Sequence, residues 1–160
     1  MERLESFVWH LVMGDMGDCD PHPLALEIRE SSELIHDYKH DDKYESGYRH
    51  GEWDEEIDDP DIIREIEYLE SLPLLYETDE YPQSGRVSLY RDPDHNKYYT
   101  EWFGERRHLW YDVPSRYTEA LDKELISIYN EILERLDESL KSQPAKQAIV
   151  EKLRRCGLWK

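Results

Sequence analysis

Asp15, Asp18, Asp20 and His22 fall within eight consecutive positions, beside Gly14 and Gly17. Oxygen donors on a glycine-containing loop suit a hard cation such as calcium or magnesium. The spacing departs from an EF-hand loop, which alternates its ligands regularly and closes on a Glu at the twelfth position. Nor do the two glycines form a phosphate cradle, because no Lys follows them and three aspartates repel phosphate. His36 and His40 stand four apart, on one side of any helix that reaches them, yet no H-E-x-x-H grammar accompanies them. With His50 they read as counter-charges in an acidic segment. A G-x-S-x-G nucleophile signature is missing, and carboxylates are so frequent that no Asp–Glu pair singles itself out as general acid and base. The expectation is a protein with no catalytic residue, no metal ligand set and no cofactor, and not an enzyme.

Acids and aromatics are what the sequence has in excess. Its 160 residues hold 38 Asp or Glu against 20 Lys or Arg, a formal net charge of -18. The excess is one-sided: residues 1–80 carry 25 acids and 6 bases, a balance of -19, and residues 81–160 carry 13 and 14, a balance of +1. Its densest part is Glu52, Trp53, Asp54, Glu55, Glu56, Asp58, Asp59 and Asp61, preceded by Asp37, Asp41, Asp42 and Glu45 and followed by Glu65, Glu67 and Glu70. Self-repulsion makes such packing costly, so the face is either well solvated or prepared for a basic partner. The 12 tyrosines and 5 tryptophans exceed what a lean core requires, and these residue types are enriched in binding hot spots. Tyr38, Tyr44, Tyr48 and Trp53 interleave with the acids. Carboxylates spaced by rings fit a groove built for nucleic acid, the carboxylates standing in for phosphates and the rings for stacked bases.

The partner expected from this pattern is a basic nucleic-acid-binding protein, met by Tyr44, Tyr48, Glu52, Trp53, Asp54, Glu55, Glu56, Asp58, Asp59 and Asp61. Direct binding to nucleic acid or to an anionic membrane is disfavoured, since both attract clustered Lys and Arg. In composition and size alone the chain resembles the acidic DNA-mimic, anti-restriction and anti-CRISPR inhibitors and the nuclease-immunity proteins. That resemblance implies an inhibitor that occupies a nuclease's or CRISPR-type effector's nucleic-acid surface, and it carries no residue roles with it. Two other functions compete: a divalent-metal enzyme built on the Asp15 to His22 loop with a distant His, and an adaptor that dimerises through a long helix. No stretch of 18 apolar residues and no basic-then-apolar leader occurs, so a soluble, cytoplasmic protein is expected. Cys19 and Cys156 are far apart and outside any C-x-x-C pair, as a reducing compartment tolerates.

The elements that must hold these groups read as one α+β domain over residues 1–160. Phe7, Trp9, Leu11 and Met13 alternate, which predicts a strand from Ser6 to Met13. Leu24, Leu26 and Ile28 predict a second strand, across a loop over 13–23. Ser31 or Ser32 then caps a short helix bearing Leu34, Ile35 and Tyr38. Asp59-Pro60 starts a helix that runs to about Leu72 with Ile62, Ile66 and Leu69 on one stripe. Segments 87–90, 97–103 and 108–113, rich in aromatics and separated by turn residues, predict an antiparallel three-strand meander near 86–113. Its rings Tyr90, Tyr98, Trp102, Trp110 and Tyr111 are expected to face a core. Tyr117, Leu121, Leu125, Ile128, Ile132, Leu136 and Leu140 mark a long amphipathic helix from about Ser115 to Lys141. A shorter one follows from Ser142 and Pro144, bearing Ala148, Ile149 and Leu153 and stopped by Gly157. The sum is a mostly antiparallel sheet covered on one side by helices.

Overall fold

The structure, a computed structural model, describes residues 2–14, 22–37, 48–49, 52–53, 60–78, 85–104, 108–137 and 143–159. The helices are α1 (Glu2–Met13), α2 (Pro23–Ser31), α3 (Pro60–Glu70), α4 (Thr118–Asp137) and α5 (Gln143–Arg155). The strands are β1 (Glu33–Asp37), β2 (Tyr48–Arg49), β3 (Glu52–Trp53), β4 (Leu74–Glu77), β5 (Arg86–Asp92), β6 (Lys97–Phe103) and β7 (His108–Asp112). Five strands form one sheet in the order β1-β7-β6-β5-β4, every pairing antiparallel, and β2 and β3 form a separate two-stranded ladder. The α+β class expected from the sequence is therefore the class of the molecule.

Three local expectations are overturned. The predicted strand at Ser6 to Met13 is part of α1. Alternation is ambiguous where nearly every position is apolar, and Leu4, Phe7, Val8, Leu11 and Val12 also satisfy the helical spacing. Every residue from Phe7 to Val12 is buried, the signature of a helix enclosed all round rather than an amphipathic one. The second predicted strand is α2, which Pro23 opens at its first turn and which buries Ala25 and Ile28 three residues apart. The short helix placed after Ser31 or Ser32 is instead the strand β1. Ser32 ends α2, its backbone N–H donating to the Arg29 carbonyl and its hydroxyl to that of Ile28, and Tyr38 lies outside the described residues.

Alternation along the strands builds two cores. Val87, Leu89, Tyr98 and Val113 join Leu4, Phe7, Leu11, Ile28, Leu121, Leu125, Ile128 and Leu153 in the larger. Tyr90, Tyr99 and Trp110 point the other way and pack with Ile66, Leu69 and Leu72 of α3 and its end. The sheet is thus covered on both faces, which corrects the one-sided expectation: α3 is too short and too charged to read as a layer, yet its Ile66 and Leu69 suffice to close the second face. Of the meander aromatics, Tyr98, Trp110 and Tyr111 are buried and Tyr90 and Trp102 half-buried. The long helix begins as a 3-10 turn at Ser115–Tyr117, continues to Asp137, and leaves Leu140 outside the described residues. Gly157, at φ +76°, ends α5 in a left-handed turn with its N–H bonded to the Arg154 carbonyl.

Candidate functional site

Of the ten partner-binding positions read from the sequence, the structure describes four. Tyr48 and Trp53 are directly opposed in the β2–β3 ladder, and Glu52 faces Arg49 across it in register. Asp61 stands in the first turn of α3, its side chain 84% exposed, where a carboxylate favours the positive end of the helix dipole. Tyr44, Asp54, Glu55, Glu56, Asp58 and Asp59 lie outside the described residues, as do Asp15, Asp18 and Asp20. Asp61 is paired with Arg64 within the helix. Glu65, Glu67 and Glu70 are exposed, Asp61 and Glu65 on one flank of the buried stripe and Glu67 and Glu70 on the other. The acids of α3 therefore border its apolar contact on both sides instead of forming one sheet of charge.

The second face of the large sheet adds a polar cluster that the sequence reading missed. His108 Nε2 lies 2.5 Å from Glu101 Oε2, and the Tyr90 hydroxyl donates to Glu101 Oε1 at 3.2 Å. Glu101 and His108 are each about 6% exposed. Burial, and then the Glu101 carboxylate, raises the Tyr90 phenol well above its ordinary value. Next to it Tyr99 is pushed up to about 12 by burial and then by Asp112, Asp92 and Glu65, so three carboxylates from two strands and α3 converge on one ring. The signal was available. The β6–β7 register sets His108 opposite Phe103 and Trp110 opposite Glu101, which makes Glu101 and His108 diagonal neighbours on one face.

Two further networks fix the edges of this arrangement. Asp92 accepts the backbone N–H groups of Asp94 and His95, the Tyr68 hydroxyl from α3, and the His95 ring at 2.9 Å. It ties α3 to the β5–β6 turn. On the larger-core side Arg91, 5% exposed, donates to Asp122 at 3.1 Å and to the Cys156 carbonyl at 2.8 Å, and Tyr98 donates to the same Asp122 at 2.5 Å. Burial pulls the Arg91 pKa down, but Asp122 and Tyr98 outweigh it and leave the guanidinium firmly charged.

These groups hold elements together through hydrogen bonds and ion pairs between strands and helices. Among the described residues, no group of three or more His, Cys, Asp or Glu side chains is placed to hold a metal ion. Two open depressions, about 470 and 570 Å³, lie on α4 (Lys123, Ile126, Asn130 and Glu134 among their walls) and on α5 (Lys146, Val150 and Arg154). Neither reaches Glu101, His108 or Asp92. Among the described residues no helix is long and apolar enough to cross a membrane. No protein-family model, curated protein or solved structure matches the chain.

Proposed function

We propose that this protein is an acidic inhibitor of the immunity type, which docks its N-terminal half onto a basic nucleic-acid-handling protein and occupies that protein's nucleic-acid surface. The observation that carries the reading is the one-sided charge, -19 in residues 1–80 against +1 in the rest. It is supported by the exposed carboxylates of α3, and by a short ladder that brings Tyr48 and Trp53 to opposed positions beside the densest acidic run.

At physiological salt the Debye length is about 8 Å, so exposed carboxylates accelerate encounter more than they hold a complex. Lasting affinity falls to the rings Tyr44, Tyr48 and Trp53, each contributing about 2 kcal/mol or more as a hot spot. The test begins with affinity capture from host lysate at low and high salt, followed by surface-plasmon kinetics on the captured protein and an assay of its nucleic-acid binding. Reversing Asp54, Glu55 and Glu56 to Lys slows association and flattens its salt dependence, Trp53→Ala speeds dissociation, and the inhibitor and DNA compete for the partner. A partner that binds DNA and this protein simultaneously, or binding indifferent to salt and to all four substitutions, refutes the reading.

A further inference from the structure

Two helices of equal and opposite charge sit on opposite faces of the large sheet. Residues 143–155, which form α5, hold Lys146, Lys152, Arg154 and Arg155 against Glu151, a balance of +3. Residues 60–70, which form α3, hold Asp61, Glu65, Glu67 and Glu70 against Arg64, a balance of -3. Helix α5 packs through Leu153 into the larger core, and α3 packs through Ile66 and Leu69 into the smaller one on the other face. The fold thus keeps apart, within one molecule, two surfaces that attract each other.

Cations over much of the structure are engaged. Arg3, Arg64, Arg86, Arg91, Lys97 and Lys123 each pair with a carboxylate, and Arg29 and Arg116 lie over tyrosine rings. In the last turn of α5, Lys152, Arg154 and Arg155 have no ion pair among the described residues, a state that Arg135 at the end of α4 shares. Arg154 and Arg155 are exposed. The helix dipole favours cations in this turn and leaves their outward groups able to meet an anion. The open depression of about 570 Å³ walled by Lys146, Val150 and Arg154 runs along the same helix, these residues being spaced by four and so on one stripe.

We propose that the basic end of α5 docks on the acidic α3 of a second copy of this chain, in a weak head-to-tail contact. Each copy offers one α5 and one α3, so the contact is heterologous and propagates into chains or rings instead of closing as a symmetric pair. The net charge of -18 opposes association only as far as its field reaches. At physiological salt the Debye length is about 8 Å, shorter than the radius of gyration of about 15 Å that a chain of this length has when folded. Distant acids are then screened, and the local pair of +3 and -3 decides. At about 0.01 M salt the Debye length is about 30 Å and the whole-molecule repulsion is felt, whereas at about 1 M it is about 3 Å and the contact itself is screened. Association is therefore greatest at intermediate salt. The inference does not rest on the proposed basic partner, which would compete for the same α3 acids.

Sedimentation velocity of the full-length protein, at concentrations up to about 1 mM to reach weak contacts, tests the proposal. The weight-average mass is expected to exceed the monomer's near about 0.15 M salt and to fall toward it at both about 0.01 M and about 1 M. Lys152→Gln, Arg154→Gln and Arg155→Gln together neutralise α5; Glu65→Gln, Glu67→Gln and Glu70→Gln together neutralise α3. Each triple variant, shown folded by circular dichroism, is expected to be monomeric at every salt. Mixed in equal amounts, the two are expected to form a 1:1 pair and nothing larger, because one supplies the charged α3 and the other the charged α5. If either variant fails to fold, the salt profile of the unmutated protein decides. A monomer at all salts, a mass that rises steadily with salt, triple variants that associate like the unmutated protein, or a mixture that stays monomeric overturns the proposal. So does retention of duplex DNA by a monomeric unmutated protein that neutralising α5 abolishes, since the cations would then serve phosphate.

Discussion

On one face of the five-stranded sheet, Val87, Leu89, Tyr98 and Val113 belong to a core that reaches α1, α2, α4 and α5; on the other, Tyr90, Tyr99 and Trp110 meet Ile66, Leu69 and Leu72. The first face is mainly aliphatic, and its buried Arg91 is engaged by Asp122, the Cys156 carbonyl and Asn96. The second holds Glu101, His108 and Asp92 in a much smaller apolar surround. Large and small cores thus divide the labour. Hydrophobic burial, at about 25 cal/mol per Å², fixes the fold on the first face, while on the second a few directed hydrogen bonds determine where the acidic helix sits.

The largest expected effect separates the two cores directly. Leu125→Ala removes a fully buried side chain from the larger core and should cost about 3–5 kcal/mol, whereas Leu69→Ala in the smaller one should cost about 2–3 kcal/mol. Urea unfolding followed by circular dichroism measures both. Equal losses would mean that the second face is as tightly packed as the first and would erase the distinction.

How much of this was legible in the sequence follows the same division. The strands around Val87 to Tyr90, Lys97 to Phe103 and His108 to Val113 announce themselves as short aromatic-rich runs bounded by turn residues, and the helix at Pro60 and the long helix through Leu121 to Ile132 by apolar positions that keep one helical period. Helix α1 does not, since enclosure on all sides removes the polar positions that reveal a period, and Phe7 to Met13 then fits strand and helix alike. Helix α2 is short, and its Leu24, Leu26 and Ile28 mimic alternation while only Ala25 and Ile28 are buried. Of the candidate site, composition located the acidic excess and the exposed Asp61. It was silent about Glu101 with His108, which are seven residues apart and meet only once a hairpin register is imposed.

A second, intermediate effect is alkaline. Tyr98, Tyr129 and Tyr90 are raised by burial, more strongly than Tyr99, which reaches about 12, and burial lifts the Cys156 thiol to about 11. Raised values mean that the folded state keeps protons the unfolded chain gives up. The stability these groups contribute is therefore complete below the unfolded values, 9.0 for the thiol and 10.0 for the phenols. It is lost progressively as pH rises from there through the folded ones. Unfolding free energy should fall from about pH 9 upward, and ultraviolet titration of the folded protein should show Tyr99 ionising before Tyr90, Tyr98 and Tyr129. Early ionisation of Tyr98 would place water where the larger core is described as closed.

The smallest effect tests the polar hold on α3. Tyr68 is 37% exposed, so its ring contributes little burial, but its hydroxyl donates to Asp92, whose side chain is only 3% exposed. Tyr68→Phe removes that donor and leaves Asp92 with the two backbone N–H groups and the His95 ring. Because the carboxylate stays mostly satisfied, the loss should be about 1 kcal/mol, and it should be local. Native-state hydrogen exchange is the appropriate measurement: amides of α3 should exchange about fivefold faster, while those of α4 and β6 keep their protection. Tyr117→Phe is the matched control, since its hydroxyl donates to exposed Glu27 at 3.0 Å, and an exposed partner turns to water without cost. A uniform change across the molecule, or none in α3, would show that Ile66 and Leu69 alone seat the helix. The Asp92 network would then be a feature of the β5–β6 turn and not the group that holds the acidic helix in place.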